Sequence, residues 1–394
     1  MSRLQGTGAL AACVVAGAWL VGSTALAVLG IGLVLAALGA HLWRRVVVGG
    51  VAVERLPLDT APVEGEQLVL EAAVHGRRWT AGRLVWRERV GDAYHEAPVR
   101  TTGRARVVVD DMPRGRYVLD DGTLLMSDPL GLERVVVPVD RASVVSVRPH
   151  VPELATLFTD TGTWGDGGRR AFVRRPSGLE PHGVREYVEG EPLRAVHWAT
   201  SARRGDLMVR ELEDAPRESI AVVLDVDADG CAGPRGASSL DDAVRAAAGI
   251  VRAHALRSRR VLLVVGAPTP VVHRIRTPGR DWELALDALA AVEPAARTPL
   301  RSLVAPRSLV GAVPELVVVT SRPEIVADAL VARAAVGRPT ALVALDAPTY
   351  AGRPPARTSH VLLRLAGAGV GLAVVHRGAE LAEALGGLRV RAVG

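Results

Sequence analysis

The sequence predicts three folded parts in series: a pair of membrane-spanning helices, a β-rich sandwich-like domain and a doubly wound α/β domain. Three observations carry that expectation. A charge-free apolar stretch opens the chain, short valine-rich runs broken by turn residues follow, and the last part alternates buried-type strands with amphipathic helices. At 394 residues the chain has room for two folded domains besides an anchoring segment. The expected boundaries are 1–45 for the helical hairpin, 46–147 for the β-rich domain, 148–217 for a linker region and 218–394 for the α/β domain.

The helical pair comes first. From Gly6 to Trp43 there is no Asp, Glu, Arg or Lys. That stretch is too long for one span and comfortable for two of about 17–20 residues. Gly22-Ser23 is the natural break, giving helices near Leu4–Val21 and Thr24–Trp43. Amides in lipid must find partners within their own segment, which two helices joined by a minimal turn achieve. Gly8, Ala12, Ala16, Gly30 and Ala37 are small enough to bring the helices close. Arg3 precedes the pair and Arg44-Arg45 follow it, while the turn is uncharged. The excess of flanking positive charge places both ends, and the rest of the chain, in the cytoplasm. The rival reading is a cleaved signal peptide, because Ser23–Ala27 contains an A-x-A-like site; a second apolar stretch follows it at once. Cys13 in the first helix and Cys231 in a distant loop make no disulfide framework.

Composition excludes several classes of chemistry. All 48 basic residues are arginine, so a Walker A phosphate loop, a Schiff-base lysine and a kinase-type lysine are absent. The net charge of +6 suits a neighbourhood of anionic lipid. The arginines are spread along the chain instead of clustering with aromatic side chains, which argues against a nucleic-acid surface.

Between Val46 and Val147 the runs Val46–Arg55, Gln67–His75, Arg83–Arg89, Arg104–Val109, Arg116–Leu119 and Glu133–Val139 read as strands. Gly91-Asp92, Met112–Gly115 and Asp121-Gly122 punctuate them. That spacing predicts an antiparallel sandwich or small barrel. Asp128–Leu132 reads as a strand-connecting loop.

The stretch from Arg148 to Arg217 is loop-like and dense in charged and aromatic residues. Arg185, Tyr187, Gly190, Arg194, His197, Trp198, Ser201 and Arg203 stand out in it, interleaved with Glu186, Glu189 and Glu191. Arginine forks bind carboxylates bidentately and stack on aromatic faces. Such a network either fixes one part of the protein against another or holds an anionic ligand, and mutual neutralisation of Arg and Glu favours the first.

From Ser219 the rhythm becomes βαβ. Strands are expected at Ser219–Val226, Val261–Gly266, Leu316–Thr320, Thr340–Leu345 and Gly369–Val375, with helices at Leu240–Ser258, Trp282–Val292, Pro323–Val336 and Glu380–Leu385. Continuous apolar strands alternating with helices predict a mostly parallel sheet covered on both faces. Ligands of such sheets sit at the carboxyl ends of strands, here Asp225, Asp227, Asp229 and Thr320-Ser321. Carboxylates on alternate residues past a strand end are disposed to converge on a hard cation such as Mg²⁺ or Ca²⁺. The run imitates an EF-hand loop, but Gly236 stands where the bidentate Glu belongs, so that reading fails; a solvated acidic turn is the bland alternative. Gly367-Ala-Gly369-Val-Gly371 precedes a strand, the wrong context for a dinucleotide fingerprint. No HExxH, paired-histidine spacing or G-x-S-x-G elbow occurs.

The run Gly183–Glu211, GVREYVEGEPLRAVHWATSARRGDLMVRE, closely resembles the signature of the bacterial family named domain of unknown function 58. Arg114–Tyr117 and Asp128–Leu132 look like that family's R-G-x-Y and D-P-F-G-L elements, so the resemblance extends over essentially the whole chain. It implies a von Willebrand factor A-like domain at the C-terminal end, preceded by a β-rich domain. It also implies a partnership with MoxR-type AAA+ ATPases and an adaptor role without a defined enzymatic activity. Metal-binding A domains end their first strand in D-x-S-x-S and add a Thr and an Asp from later loops. Here Asp225 matches the first position, Asp227 and Asp229 replace the serines, and Ser321 stands where the late Asp would fall.

The expectation is therefore a membrane-anchored, cytoplasmic interaction module that contacts the bilayer and an AAA+ ATPase. It needs no cofactor, unless Mg²⁺ or Ca²⁺ binds the altered site, and no small-molecule substrate is evident. Two rivals are a metal-dependent hydrolase acting at Asp225, Asp227 and Asp229, and an extracytoplasmic cell-envelope factor of inverted topology.

Overall fold

The computed structural model describes residues 3–48, 50–56, 61–76, 82–154, 157, 181–186, 196, 198–212, 220–276, 279–296, 298–355 and 359–386. They form two compact units, Met1–His150 with Leu286–Val292, and Val151–Ala285 with Glu293–Gly394.

The first unit begins with α1 (Arg3–Val21) and α2 (Thr24–Val48). Gly22 turns the chain in the left-handed region, φ +68°, and the Ser23 hydroxyl accepts from the Leu26 amide at 3.4 Å. Residues Thr24–Val46 make a 23-residue helix long and apolar enough to cross a membrane, with 11% of its most apolar window buried. Gln5–Val21 is apolar but shorter. The helices meet through Ala11, Ala18, Gly30 and Ala40, all buried, and a Cβ on Gly30 would sit 2.7 Å from Val15 Cγ2. Of the small residues expected at this contact, Gly30 is there and Ala37 is half-buried, while Gly8, Ala12 and Ala16 face outward. The contact stripe of α1 follows Ala11, Val15 and Ala18, at helical spacing.

The strand expected from Val46 begins later. Helix α2 runs on to Val48, and only β1 (Ala52–Arg55) is extended. Adding residues to an existing helix needs no new nucleus, so Val46–Val48 continue it until a glycine intervenes. The remaining strands are β2 (Leu68–His75), β3 (Arg83–Val90), β4 (Ala93–Pro98), β5 (Arg104–Val109), β6 (Gly115–Leu119), β7 (Thr123–Ser127), β8 (Arg134–Pro138) and β9 (Ser143–Val147). They pair into sheets β1-β2-β5, β4-β3-β7-β8 and β6-β9, with every pairing antiparallel. One core serves all three, centred on Trp86, Leu68, Leu119, Leu124 and Met126. Inside it the Arg55 guanidinium grips Glu88 bidentately at 2.8 and 3.0 Å. A Cβ on Gly122 would lie 2.5 Å from both Arg55 and Glu88, so this ion pair requires glycine there. The Tyr117 hydroxyl donates to the Pro113 carbonyl at 2.8 Å, stapling the corner that enters β6.

The second unit opens with an antiparallel pair, β10 (Pro181–Glu186) and β11 (Met208–Leu212), separated in the chain by α3 (Trp198–Arg204). Its main body comprises β12 (Ile220–Leu224), α4 (Ser239–Leu256), β13 (Val261–Val265), β14 (Val271–Ile275), the start of α5 (Arg280–Ala290, whose residues from Leu286 group with the first unit), α6 (Leu300–Leu303), β15 (Glu315–Thr320), α7 (Pro323–Ala335), β16 (Thr340–Leu345), α8 (Ala347–Tyr350), α9 (His360–Gly367), β17 (Gly371–Val375) and α10 (Leu381–Gly386). The six-stranded sheet runs β14-β13-β12-β15-β16-β17. All neighbours are parallel except β13 and β14, which form a hairpin that the sequence pattern did not reveal. β12, β13 and β16 are buried at every residue, as a sheet covered on both faces demands. Residues from α6, α7 and α9 fill one face with Ala221, Val223, Leu316 and Val318.

Candidate functional site

The strand order reverses at β12, which has β13 on one side and β15 on the other. The crevice beyond their carboxyl ends is the topological switch point where ligands of such sheets bind. Buried Asp225 and Asp227 follow β12 there. A short bridge, Ala228 N–H to Ala295 O at 2.9 Å and Ala295 N–H to Val226 O at 2.8 Å, brings the segment carrying Thr298 alongside. The chain leaving β15 adds Thr320, Ser321 and Arg322.

The hydrogen bonds leave these carboxylates well satisfied. Asp225 Oδ2 accepts from the Thr320 hydroxyl at 2.7 Å, and its Oδ1 from the Asp227 amide at 3.1 Å. Thr320 Oγ1 in turn accepts from the Arg322 amide at 2.9 Å. Asp227 Oδ1 accepts from the Asp229 amide at 3.0 Å. Its Oδ2 takes the Thr298 hydroxyl at 2.9 Å and the Arg322 guanidinium at 2.7 Å. Burial works to raise the Asp227 carboxyl, but bonds from the Asp229 amide, Thr298 and Arg322, with the charge of Arg322, hold it below the usual carboxylate range.

The three aspartates are not brought to one point. Asp229 projects its carboxylate into solvent, 88% exposed, with an oxygen 3.8 Å from Arg322. Among the described residues no three His, Cys, Asp or Glu side chains converge where they could hold a metal ion. Asp229 thus stands apart from Asp225 and Asp227, and the charged group beside Asp227 is the Arg322 guanidinium. Ser321 does not point to the aspartates; its hydroxyl donates to the Gly230 carbonyl at 2.7 Å. A Cβ on Gly230 would stand 2.7 Å from that hydroxyl, which accounts for the glycine.

Sequence reasoning missed Thr298 and Arg322, and also a second polar group at this edge. Asp346 follows β16 as Asp225 follows β12, and its carboxylate lies 2.9 Å from His376 Nδ1. The Tyr350 hydroxyl donates to Asp242 at 2.6 Å, and burial, then that carboxylate, pushes the phenol up. An Asp immediately after an apolar strand was the available signal for Asp346.

The signature residues are placed only in part. Ser201 is buried in the middle of α3, where its hydroxyl accepts from the Met208 amide at 2.8 Å and so ties the helix to β11. Trp198 is 62% exposed, and Arg203 is exposed. Arg185 lies in β10, opposite Val209. Tyr187, Gly190, Arg194 and His197 lie outside the described residues.

A chain with an apolar N-terminal helix, an antiparallel β body and a largely parallel α/β sheet is thus defined. The family model described as "Protein of unknown function DUF58" matches residues 183–304. The match supports the family resemblance drawn from the signature; it takes in Asp225, Asp227 and Thr298 and ends before Thr320 and Arg322. No curated protein matches the chain.

Proposed function

We propose that this protein is a membrane-anchored interaction module whose second unit, a von Willebrand factor A-like domain, engages a cytoplasmic AAA+ ATPase of the MoxR type. The observation that carries the reading is the apolar helix Thr24–Val46, whose lipid-suited surface is left uncovered: Val28, Leu35 and Leu38 are each more than half exposed. Gln5–Val21 pairs with it as a second span, and Arg3 with Arg44-Arg45 orients the body to the cytoplasm. The parallel sheet with helices on both faces, and an Asp at the end of its first strand, supports the A-like assignment. The DUF58 match supports the family; the partner class is what the family resemblance implies. An interaction role is favoured over metal-dependent hydrolysis because Arg322 already neutralises Asp227 at 2.7 Å.

Because the chain has no lysine, amine-directed bridging reagents find no side chain on it. The test therefore places a photo-cross-linking amino acid at exposed Trp198 of the full chain in native membranes. Irradiation with ATP or ADP present should yield an adduct with an AAA+ ATPase whose amount depends on the nucleotide. Recovery of no ATPase under either condition would sink the partner assignment.

A further inference from the structure

We propose that the loop joining β7 to β8, with the arginines beside it, is a second membrane contact in which Leu130 sits among the headgroups of an anionic bilayer. The inference rests on the reading of α2 as a membrane span.

The loop is rigid and displays an apolar side chain. The buried Asp128 carboxylate accepts from the Leu130 amide at 3.0 Å and from the Glu133 amide at 2.6 Å. Gly131, at φ +68°, donates its amide to the Asp128 carbonyl at 3.0 Å. Held in this way, Leu130 is 62% exposed at the tip. A lone exposed leucine is ordinary on a protein surface; what singles this one out is its place beside the end of the apolar helix.

The loop's position says what covers it. Glu133, which closes the loop, is bound by Arg44 of α2 at 2.8 Å. Arg44 stands two residues before Val46, where the apolar helix ends. Trp43 also reaches the same end of the sheet: a Cβ on Gly82 would lie 3.3 Å from its ring. Trp and Arg at the end of a span mark the headgroup level. Three residues cover at most about 10 Å, so Leu130 is within that distance of Glu133 and hence of this level.

Charge points the same way. The register sets Arg83 of β3 opposite Ser127 of β7, and Ser127 opposite Arg134 of β8. Arg83 and Arg134 are exposed at this end with Arg44 and Arg45. The opposite end of the β body carries Asp92, and Asp120 and Asp121 bridged to Arg89. A basic rim facing the helix end complements an anionic leaflet, which attracts arginines held near its surface.

The test uses the full chain with Cys13→Ala and Cys231→Ala, reconstituted in vesicles of phosphatidylcholine with a minority of phosphatidylglycerol. A polarity-sensitive fluorophore is attached in turn through Leu130→Cys, Asp92→Cys and Leu35→Cys. Position 35 should be quenched by lipids labelled deep in the acyl chain, and position 92 by aqueous iodide. Position 130 should be quenched by headgroup-labelled lipid and shielded from iodide several-fold relative to position 92. That shielding should fall on phosphatidylcholine alone and with Arg83→Gln plus Arg134→Gln. Iodide quenching at 130 equal to that at 92, with 35 in lipid, would overturn the loop contact and leave the span intact. Aqueous exposure at 35 would overturn the span, and the loop contact with it. Shielding at 130 that persists undiminished on phosphatidylcholine alone would overturn the assignment to anionic lipid.

Discussion

Two arginines, one in each unit, each bind a buried carboxylate. Arg322 bonds Asp227 at 2.7 Å, and Arg322→Gln should cost about 2 kcal/mol at neutral pH, the worth of a hydrogen-bonded charge pair. Urea unfolding measures it. The Asp227 carboxyl is held below its ordinary value, so its contribution is full above the unfolded carboxylate pKa and is lost as pH falls through the folded one. In the variant that acid-side loss should be smaller and complete at a higher pH. Arg55 and Glu88 form the other pair, with side chains 8% and 0% exposed. Glu88→Ala strands a buried guanidinium and should cost about 3–5 kcal/mol, whereas Arg55→Met with Glu88→Leu should come close to wild type. A double variant as unstable as the single one would refute that account. Asp225 and Asp227 were legible in the sequence because alternate carboxylates follow an apolar strand. Thr298 and Arg322 were not, because they reach Asp227 only through the Ala295 bridge and the parallel register of β12 with β15.

Elements with a strong period were read nearly residue for residue; their quieter partners were not. Thr340–Leu345 and Arg104–Val109 have the bounds expected of them. β4, by contrast, is Ala-Tyr-His-Glu-Ala-Pro with one buried residue, and its pairing with β3 supplies what its sequence lacks. β14 is likewise a mostly exposed edge strand, legible only once β13 is there to pair with. Helix α4 shows the opposite case, a boundary written locally. Ser238 Oγ accepts from the Asp241 amide at 3.2 Å, and the Asp241 carboxylate accepts from the Ser238 amide at 3.0 Å, a reciprocal capping box. Ser238→Ala should therefore lower stability by about 1 kcal/mol, measured as a shift of the urea midpoint without a change in slope. In the N-terminal helix pair, Gly30 faces Val15 too closely for any larger residue. Gly30→Leu should separate α1 from α2, and a disulfide engineered between their facing positions should then form more slowly.

For the whole molecule the orientation prediction is direct. With both ends of the hairpin in the cytoplasm, trypsin added to intact cells should leave the β body and the α/β body whole, and should digest them only after permeabilisation. Cleavage in intact cells would instead support the inverted, extracytoplasmic arrangement. One further consequence follows from the junction between helix and β body. Only three residues separate Val48 of α2 from Ala52 of β1, Trp43 packs against the β core, and Arg44 is tied to Glu133. Trp43 and Arg44 thus tie the end of the helix to the β body. In a bilayer thinner or thicker than the span requires, an anchor on a slack tether would tilt alone; with α2 in lipid as proposed, these ties would make the helix a lever arm and turn lipid thickness into an angle of the β body above the surface.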